Sequence, residues 1–191
     1  VNAGRLHVAG RLQRRGAEDA AAPLPPGVRA VWDLAKAHRE ATTTRERVCI
    51  NGLWRFRPAR SADEPLPDGG WGHIKVPGPW PRGDRSDNQR LYPHPSWADR
   101  RLSEVNQAWH QRTIGIPQDW AGRRIAVSTA YLNSFAAVYV DGRRLGEIRF
   151  PWGEVDITSA CRPGASHVLT LFVAAVPLKD VVTVFSQTNQ S

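Results

Sequence analysis

The chain has 191 residues, of which 41% are hydrophobic and 23% are charged, so we expect one main domain with a sizeable core. It contains no run of about 18 apolar residues, which excludes a spanning helix, and we expect no membrane partner. The formal net charge of +8 would suit a nucleic-acid binder if the cations formed a stripe. We instead predict solvated surface charge and no nucleic-acid partner, because the cations are spread in pairs beside turns: Arg100-Arg101, Arg123-Arg124 and Arg143-Arg144.

The first 28 residues are predicted to form a flexible arm and linker, or the end of an upstream domain. Residues 16–28, "GAEDAAAPLPPGV", are rich in Ala and Pro and show no periodicity, which is typical of a linker. Since the chain starts at Val1 and contains no Met, we expect a fragment of a longer protein. Nucleic-acid binding through the arm stays open as a weaker alternative, because the densest cation group lies there: Arg11, Arg14 and Arg15.

The cysteines and the amino terminus say little about compartment. Cys49 and Cys161 are interpreted as buried thiols, with a disulfide left open. No spaced Cys/His set could supply the three or four ligands that zinc requires, so neither a metal nor another cofactor is expected. Residues 1–15 lack the apolar stretch of a signal peptide, yet secretion stays open and a secreted or periplasmic location is favoured.

The segment "VWDLAKAHREA", residues 31–41, predicts a short amphipathic helix. Val31, Leu34 and His38 recur at helical spacing, and Asp33 stands near the start of the segment. The following threonines, residues 42–44, are expected to end the helix.

From Val48 onward the pattern changes to short strands separated by Gly, Pro and Asp. The predicted strands lie in "VCINGLWRF", "HIKVPGPW", "AWHQRTIGIP", "RRIAVSTA", "FAAVYVDG", "GEVDITS" and "HVLTLFVAAV". A parallel α/β fold would need helices between strands, and none is visible after residue 45. The sequence therefore predicts an all-β antiparallel sandwich.

The stretch "AVYVDGRRLGEI", residues 137–148, predicts a β-hairpin. Asp141-Gly142 readily accepts the two positive φ angles of a type I′ turn. Alternation places Val138 and Val140 on one face of the strand and Ala137 and Tyr139 on the other. We interpret the hairpin as framework rather than as a site.

A long loop, residues 81–106, mixes aromatic and polar side chains. Such a mixture suits stacking on the apolar face of a sugar while hydrogen-bonding its hydroxyl groups. A mobile surface insertion would have a similar composition, and both interpretations stay open. The candidate carbohydrate-binding residues are Asp84, Asp87, Asn88, Tyr92 and Trp97.

No catalytic residue is predicted in this chain. Glycoside hydrolysis needs two carboxylates in different environments, and nothing distinguishes Glu147, Glu154 or Asp156 from ordinary surface acids. Glu154 and Asp156 share a strand face. The Gly-x-Ser-x-Gly and phosphate-loop motifs are absent, and the six His residues lie near no evident nucleophile.

Six segments in order resemble the sugar-binding domain of glycoside hydrolase family 2, which includes β-galactosidases, β-glucuronidases and β-mannosidases. They are "INGLWRF", "IKVPGPW", "AWHQRTIGIPQDWAGRRI", "YLNSFAAVYVDGRRLGEI", "GEVDITSACRPG" and "HVLTLFVAAV", within residues 48–176. The resemblance implies a galactose-binding-like jelly roll, which we place at residues 29–180, with residues 181–191 starting a linker. It also implies an immunoglobulin-like sandwich and a TIM barrel downstream, the barrel holding both catalytic Glu residues.

The matched positions are expected to serve packing before ligand contact. Trp54 and Phe56 would anchor the core, and Asn133 with Ser134 would orient a loop; the remaining matches are Trp80, Trp109, Arg112, Trp120 and Asp156. The resemblance implies a non-catalytic, carbohydrate-associated domain of a family 2-like glycosidase, with carbohydrate as partner. The alternative is a protein-interaction module that only docks on neighbouring domains.

Overall fold

The computed structural model describes residues 21–61, 63–78, 91–101 and 104–175. Their regular structure consists of eleven strands and four short 3₁₀ turns. The strands are β1 Arg39–Ala41, β2 Glu46–Val48, β3 Gly52–Pro58, β4 Gly72–Val76, β5 Leu91–Tyr92, β6 Gln107–Gly115, β7 Ala126–Thr129, β8 Phe135–Val140, β9 Arg143–Arg149, β10 Gly153–Asp156 and β11 Ser166–Ala174. The 3₁₀ turns are Leu34–Lys36, Pro95–Trp97, Gln118–Trp120 and Thr158–Ala160. Within these ranges no helix has the length and apolar character needed to cross a bilayer.

Seven strands form one large antiparallel sheet in the order β5-β4-β3-β6-β11-β8-β9. Its centre is the nine-residue pairing of β6 with β11, from Ser166 opposite Gly115 to Ala174 opposite Gln107. The β7-β10 pair forms the second layer, and β1-β2 forms a separate ribbon. The predicted all-β antiparallel sandwich is confirmed.

The main core lies on the inner face of the large sheet, which we define as the face toward β7 and β10. The alternation of strand side chains brings apolar residues of five strands to this face: Trp54, Ile114, Val138, Val140, Ile148 and Leu169. Val127 of β7 and Val155 of β10 close the core from the other layer. The approach is tight at Gly146, where an added Cβ would lie 2.9 Å from Val155 Cγ1.

The outer face carries a second apolar cluster toward one end. Trp109 packs edge-on against Phe172 at 5.0 Å between ring centroids, and Ala137 lies beside them. Trp71 and Ala59 cover this cluster. The predicted split of β8 is thus confirmed, with Val138 and Val140 on the inner face and Ala137 on the outer one.

The predicted helix over residues 31–41 is reduced to the single 3₁₀ turn Leu34–Lys36. The Asp33 side chain caps this turn by accepting a hydrogen bond from the Ala35 N–H at 2.9 Å. Residues Arg39–Ala41 pair with β2 instead of continuing the helix. A helix this short gains little from its own hydrogen bonds, and none of the three turn residues is buried, so pairing with β2 prevails.

The predicted hairpin is confirmed, with positive φ angles of 48° at Asp141 and 81° at Gly142. The Asp141 carboxylate also ties the turn to β11. Its Oδ1 accepts from the Val168 N–H at 2.7 Å, and its Oδ2 lies 2.7 Å from His167 Nδ1. The turn residue therefore joins β8 and β11 at their shared end.

Most matched positions that the structure describes serve packing, as predicted. Trp54, Phe56 and Trp109 are buried, and the Trp120 indole N–H donates to Glu46 Oε2 at 2.7 Å. Both cysteines are free thiols; Cys161 is buried and Cys49 half-buried. Trp80 and the termini, residues 1–20 and 176–191, lie outside the described residues, so the domain boundaries stay predictions.

Candidate functional site

The structure describes two of the five predicted carbohydrate-binding residues. Asp84, Asp87 and Asn88 lie outside the described residues. Tyr92 belongs to β5 and stands opposite His73 of β4. Trp97 ends the turn Pro95–Trp97, and both Tyr92 and Trp97 are half-buried.

Much of Trp97 is engaged in packing. Its indole N–H donates to the Gly70 carbonyl at 2.8 Å, and its ring meets Phe56 edge-on at 5.8 Å between centroids. An added Cβ at Gly72 would lie 2.5 Å from Trp97 Cζ2, so only glycine allows this approach. Sugar stacking by Trp97 stays a prediction.

Tyr92 belongs to a larger arrangement that the sequence did not indicate. The strand register places one polar side chain from each of six neighbouring strands in a line across the outer face. We call this line the polar row; in sheet order it consists of Tyr92, His73, Arg55, Gln111, Thr170 and Tyr139.

Hydrogen bonds connect the middle of the polar row. Arg55 Nη1 donates to Gln111 Oε1 at 3.0 Å, and Gln111 Nε2 donates to Thr170 Oγ1 at 3.3 Å. The Gln111 amide is therefore held with its oxygen toward Arg55 and its nitrogen toward Thr170. Gln111 and Thr170 are buried while Arg55 is exposed, so the row has a fixed floor and a solvent-facing cation.

A cavity of about 400 Å³ opens above part of the polar row. The sheet contributes Leu53, Arg55, His73, Gln111, Arg112 and Thr113 to its lining. The chain before β1 contributes Ala21, Ala30, Val31 and Trp32. Trp32 is anchored there by its indole N–H, which donates to the Cys49 carbonyl at 3.0 Å. The cavity thus combines an aromatic wall with hydrogen-bonding side chains, and its volume is in the range of small-molecule sites.

Arg112 is a buried cation beside this cavity, with its side chain on the inner face of the sheet, because the register sets it opposite Leu169. Its Nη1 donates to the carbonyls of Ile50 at 2.6 Å and Asn51 at 2.7 Å, and its Nη2 donates to that of Leu53 at 2.7 Å. The guanidinium carbon lies 5.3 Å from the centroid of Trp54. Burial lowers the pKa of Arg112 to about 10, which leaves the side chain charged at neutral pH.

Only glycine fits opposite this guanidinium. Gly52 has a φ of 127°, and an added Cβ there would lie 3.0 Å from Arg112 Nη2. The sequence "INGLWRF" therefore includes a glycine where the chain enters β3 and passes the Arg112 head group.

His73 contributes a neutral imidazole to the cavity. The side chain is 5% exposed, and its Nδ1 is a buried atom without a hydrogen-bond partner in the described part of the chain. Burial, and then the nearby Arg55 cation, lower the pKa of His73 from its ordinary value of 6.5. His73 can therefore donate or accept one hydrogen bond from a ligand without adding charge.

The surface acids do not form a hydrolytic pair. Arg124 Nη1 contacts Glu154 Oε1 at 2.8 Å, and Arg124 Nε contacts Asp156 Oδ2 at 2.9 Å. Hydrogen bonds from Thr158, with the Arg124 contact, lower the pKa of Asp156. Both acids share a strand face, as predicted, and both contact the same arginine. This geometry does not suit a general acid, which must be protonated at working pH.

Cys161, His167 and Asp141 form a Cys-His-Asp set that the sequence analysis did not predict. The set does not have the geometry of a nucleophile and its base. His167 Nε2 accepts a hydrogen bond from the Arg162 N–H at 2.9 Å, so Nδ1 carries the hydrogen and faces Asp141. Burial, and then the Asp141 charge, raise the pKa of the Cys161 thiol to about 11. The base nitrogen is occupied and the thiol stays protonated, so the set serves structure.

The sequence matches no protein-family profile and no curated protein. Among solved structures, the fold is similar to part of a β-glucuronidase from Faecalibacterium prausnitzii, with a TM-score of 0.52 and 21% identity over 72% of this chain and 22% of that one. It is also similar to a β-glucuronidase from an uncultured Clostridium sp., with a TM-score of 0.50 and 18% identity over 80% of this chain and 24% of that one. A Ruminococcus gnavus β-glucuronidase gives a TM-score of 0.51 and 15% identity over 66% of this chain and 21% of that one. This chain spans less than a quarter of those enzymes, and the likeness shows a shared fold.

Proposed function

We propose that the chain is a non-catalytic, carbohydrate-associated domain of a glycoside hydrolase related to family 2. Two lines of support meet here: the six segments that resemble that family, and a fold shared with part of β-glucuronidases. An immunoglobulin-like sandwich and a TIM barrel in the same protein would be its partners, and the barrel would supply both catalytic Glu residues.

The observation that carries the proposal is the cavity over the polar row. A sugar presents hydroxyl groups at its edge and an apolar face formed by its C–H groups. Arg55, His73 and Gln111 offer hydrogen bonds from the cavity floor, and Trp32 offers an aromatic wall. These features together are suited to holding one sugar ring.

The predicted loop residues fit the same proposal. Tyr92 continues the polar row at the outer edge of the sheet, next to His73. Asp84, Asp87 and Asn88 lie outside the described residues and stay predicted sugar contacts, and Trp97 supports the edge at Tyr92 from behind.

Calorimetric titration of the chain with galactosides, glucuronides and mannosides tests direct sugar binding. We expect binding that is lost in Trp32→Leu and kept in Trp152→Leu, because Trp152 is exposed and does not line the cavity. Circular dichroism of both variants controls for folding. Absence of binding to every sugar would refute a sugar contact in this domain.

A docking module without sugar binding is the second candidate, and a different surface favours it. Tyr131, Phe150 and Trp152 are large exposed side chains from the connections on either side of β8 and β9. Tyr131 and Phe150 meet edge-on at 6.1 Å between centroids. Clustered exposed aromatic rings are typical of interaction surfaces.

The chain has eight Trp, so the docking role is tested by the difference in acrylamide quenching of fluorescence between the parent chain and its Trp152→Phe variant, which reports on Trp152. Docking predicts that the quenching falls when the chain is expressed together with its neighbouring domains in the parent protein. Equal quenching in both contexts would rule out a contact at this surface.

A further inference from the structure

Among the residues that the structure describes, the cations that line the cavity have no acidic counterpart. Arg55 and Arg112 contribute to its lining and no Asp or Glu does, and neither arginine forms an ion pair with any acid in the described ranges. Arg57, two residues along β3 on the same face, shows the contrast. Its Nη2 lies 3.3 Å from Glu64 Oε1, and its Nη1 donates to the Gly69 carbonyl at 2.6 Å.

The missing acidic partner is energetically important because Arg112 is buried. Arg112 is 6% exposed, and its contacts are carbonyl oxygens, which solvate a cation without neutralising it. Its Nε is a buried atom without a hydrogen-bond partner among the residues described. A buried charge lacking a partner is costly, and the cost falls when an anion comes close in a low-dielectric setting.

The other lining groups define which anion fits. Arg55 uses Nη1 on Gln111, which leaves its remaining N–H groups toward solvent. The planar fork of a guanidinium matches a carboxylate, and the neutral His73 adds one hydrogen bond. The described lining residues include no lysine and no glycine-rich loop of the kind that surrounds phosphate groups.

We propose that this cavity binds a small ligand that bears a carboxylate, with Arg55 contacting the carboxylate and Arg112, whose side chain lies on the inner face of the sheet, supplying a second positive charge from beneath the cavity. The inference rests on the proposed function in one respect: if the domain binds carbohydrate, the carboxylate-bearing ligand is a sugar acid. The carboxylate would occupy the floor of the cavity, and the rest of the ring would lie against Trp32.

Titration of the whole chain with three probes tests this inference. D-glucuronate carries both a sugar ring and a carboxylate, D-glucose carries only the ring, and propionate carries only the carboxylate. We expect D-glucuronate to bind at least tenfold more tightly than D-glucose, with affinity that weakens as salt is added. Arg55→Gln should reduce D-glucuronate affinity about tenfold. Arg143→Gln, an exposed hairpin position with the same change of charge, should leave the affinity unchanged.

Each result separates the inference from the proposed function. Equal binding of D-glucuronate and D-glucose, unaffected by Arg55→Gln, would overturn the carboxylate site and leave a sugar-binding domain. If propionate binds as tightly as D-glucuronate and D-glucose does not bind, the result supports the carboxylate site and counts against a sugar ligand. If neither D-glucuronate nor propionate binds, the inference is overturned. The titrations with neutral sugars then decide the proposed function.

Discussion

The two faces of the large sheet are built from the same strands but differ in what they bury. On β11, Leu169 is 0% exposed on the inner face and Thr170 is 1% exposed on the outer one. Leu169 meets apolar side chains of the opposite layer, whereas the Thr170 hydroxyl accepts a hydrogen bond from Gln111. Burial alone therefore does not define the core, because a polar residue can be equally buried when its hydrogen bonds are made.

The difference has a functional consequence. The inner face is filled by interlocking apolar side chains, so it holds the layers together and excludes ligands. The outer face keeps a cavity above hydrogen-bonded polar groups, and these are the groups that give a site its selectivity. Substitutions on the two faces should therefore separate stability from binding.

The largest effect on stability is expected on the inner face. Leu169→Ala should lower the free energy of unfolding by about 3 kcal/mol, because it leaves a cavity among Val140, Ile148 and their neighbours. Urea denaturation followed by fluorescence measures the change. The half-buried Leu145→Ala is the control and should cost clearly less. Equal losses would mean that the inner face is not the main core.

Arg112 is a buried charge on the inner face and should show the next largest effect. Arg112→Met keeps much of the side-chain length but removes the donors to three carbonyls, which should cost about 2 kcal/mol in unfolding free energy. The same denaturation experiment applies, with the exposed Arg143→Met as control. A variant as stable as the parent chain would show that these hydrogen bonds do not hold the entry to β3.

A substitution in the polar row should affect stability less. Thr170→Val keeps the shape of the side chain and removes the acceptor for Gln111 Nε2, so the loss should be about 1 kcal/mol. We expect ligand affinity to fall as well, since the Gln111 amide is no longer held in orientation. Unchanged affinity in the titrations would show that the Gln111–Thr170 hydrogen bond plays no part in binding.

The smallest effect is a pH dependence that originates at His73. Its pKa is lowered in the fold, so the unfolded chain takes up a proton first as the pH falls below 6.5. This contribution to stability should be fully present above pH 6.5 and decline between that value and the lower pKa of the folded state. Denaturation at several pH values should show a smaller slope in this window for His73→Gln than for the parent chain; burial lowers the pKa of His110 to about 4, so His110 supplies the rest of the slope. A slope unchanged in the variant would assign the whole pH dependence to groups other than His73.

Local sequence patterns predicted much of the framework and little of the site. The Asp141-Gly142 turn and the alternation in β8 depend on neighbouring residues, and both predictions are confirmed. The prediction of a helix over residues 31–41 was wrong in extent. Residues Arg39–Ala41 pair with β2 instead, and helical spacing in the sequence does not reveal that pairing. Of the candidate site, Tyr92 was named beforehand as a sugar contact and Arg112 as a packing position. Arg55, His73 and Gln111 come from separate segments and carry no local signal.

The class of fold and the hairpin at Asp141-Gly142 follow from local sequence, because alternation and turn chemistry act over a few residues, and the burial of Trp54 and Phe56 was expected from the family resemblance. The polar row, in contrast, depends on how distant strands assemble. The row requires β3 to lie between β4 and β6 in a fixed register, since a slip by one residue would turn Arg55 or Gln111 to the inner face. Strand order and register are set by long-range pairing, and they place the two unpaired arginines beside the same cavity.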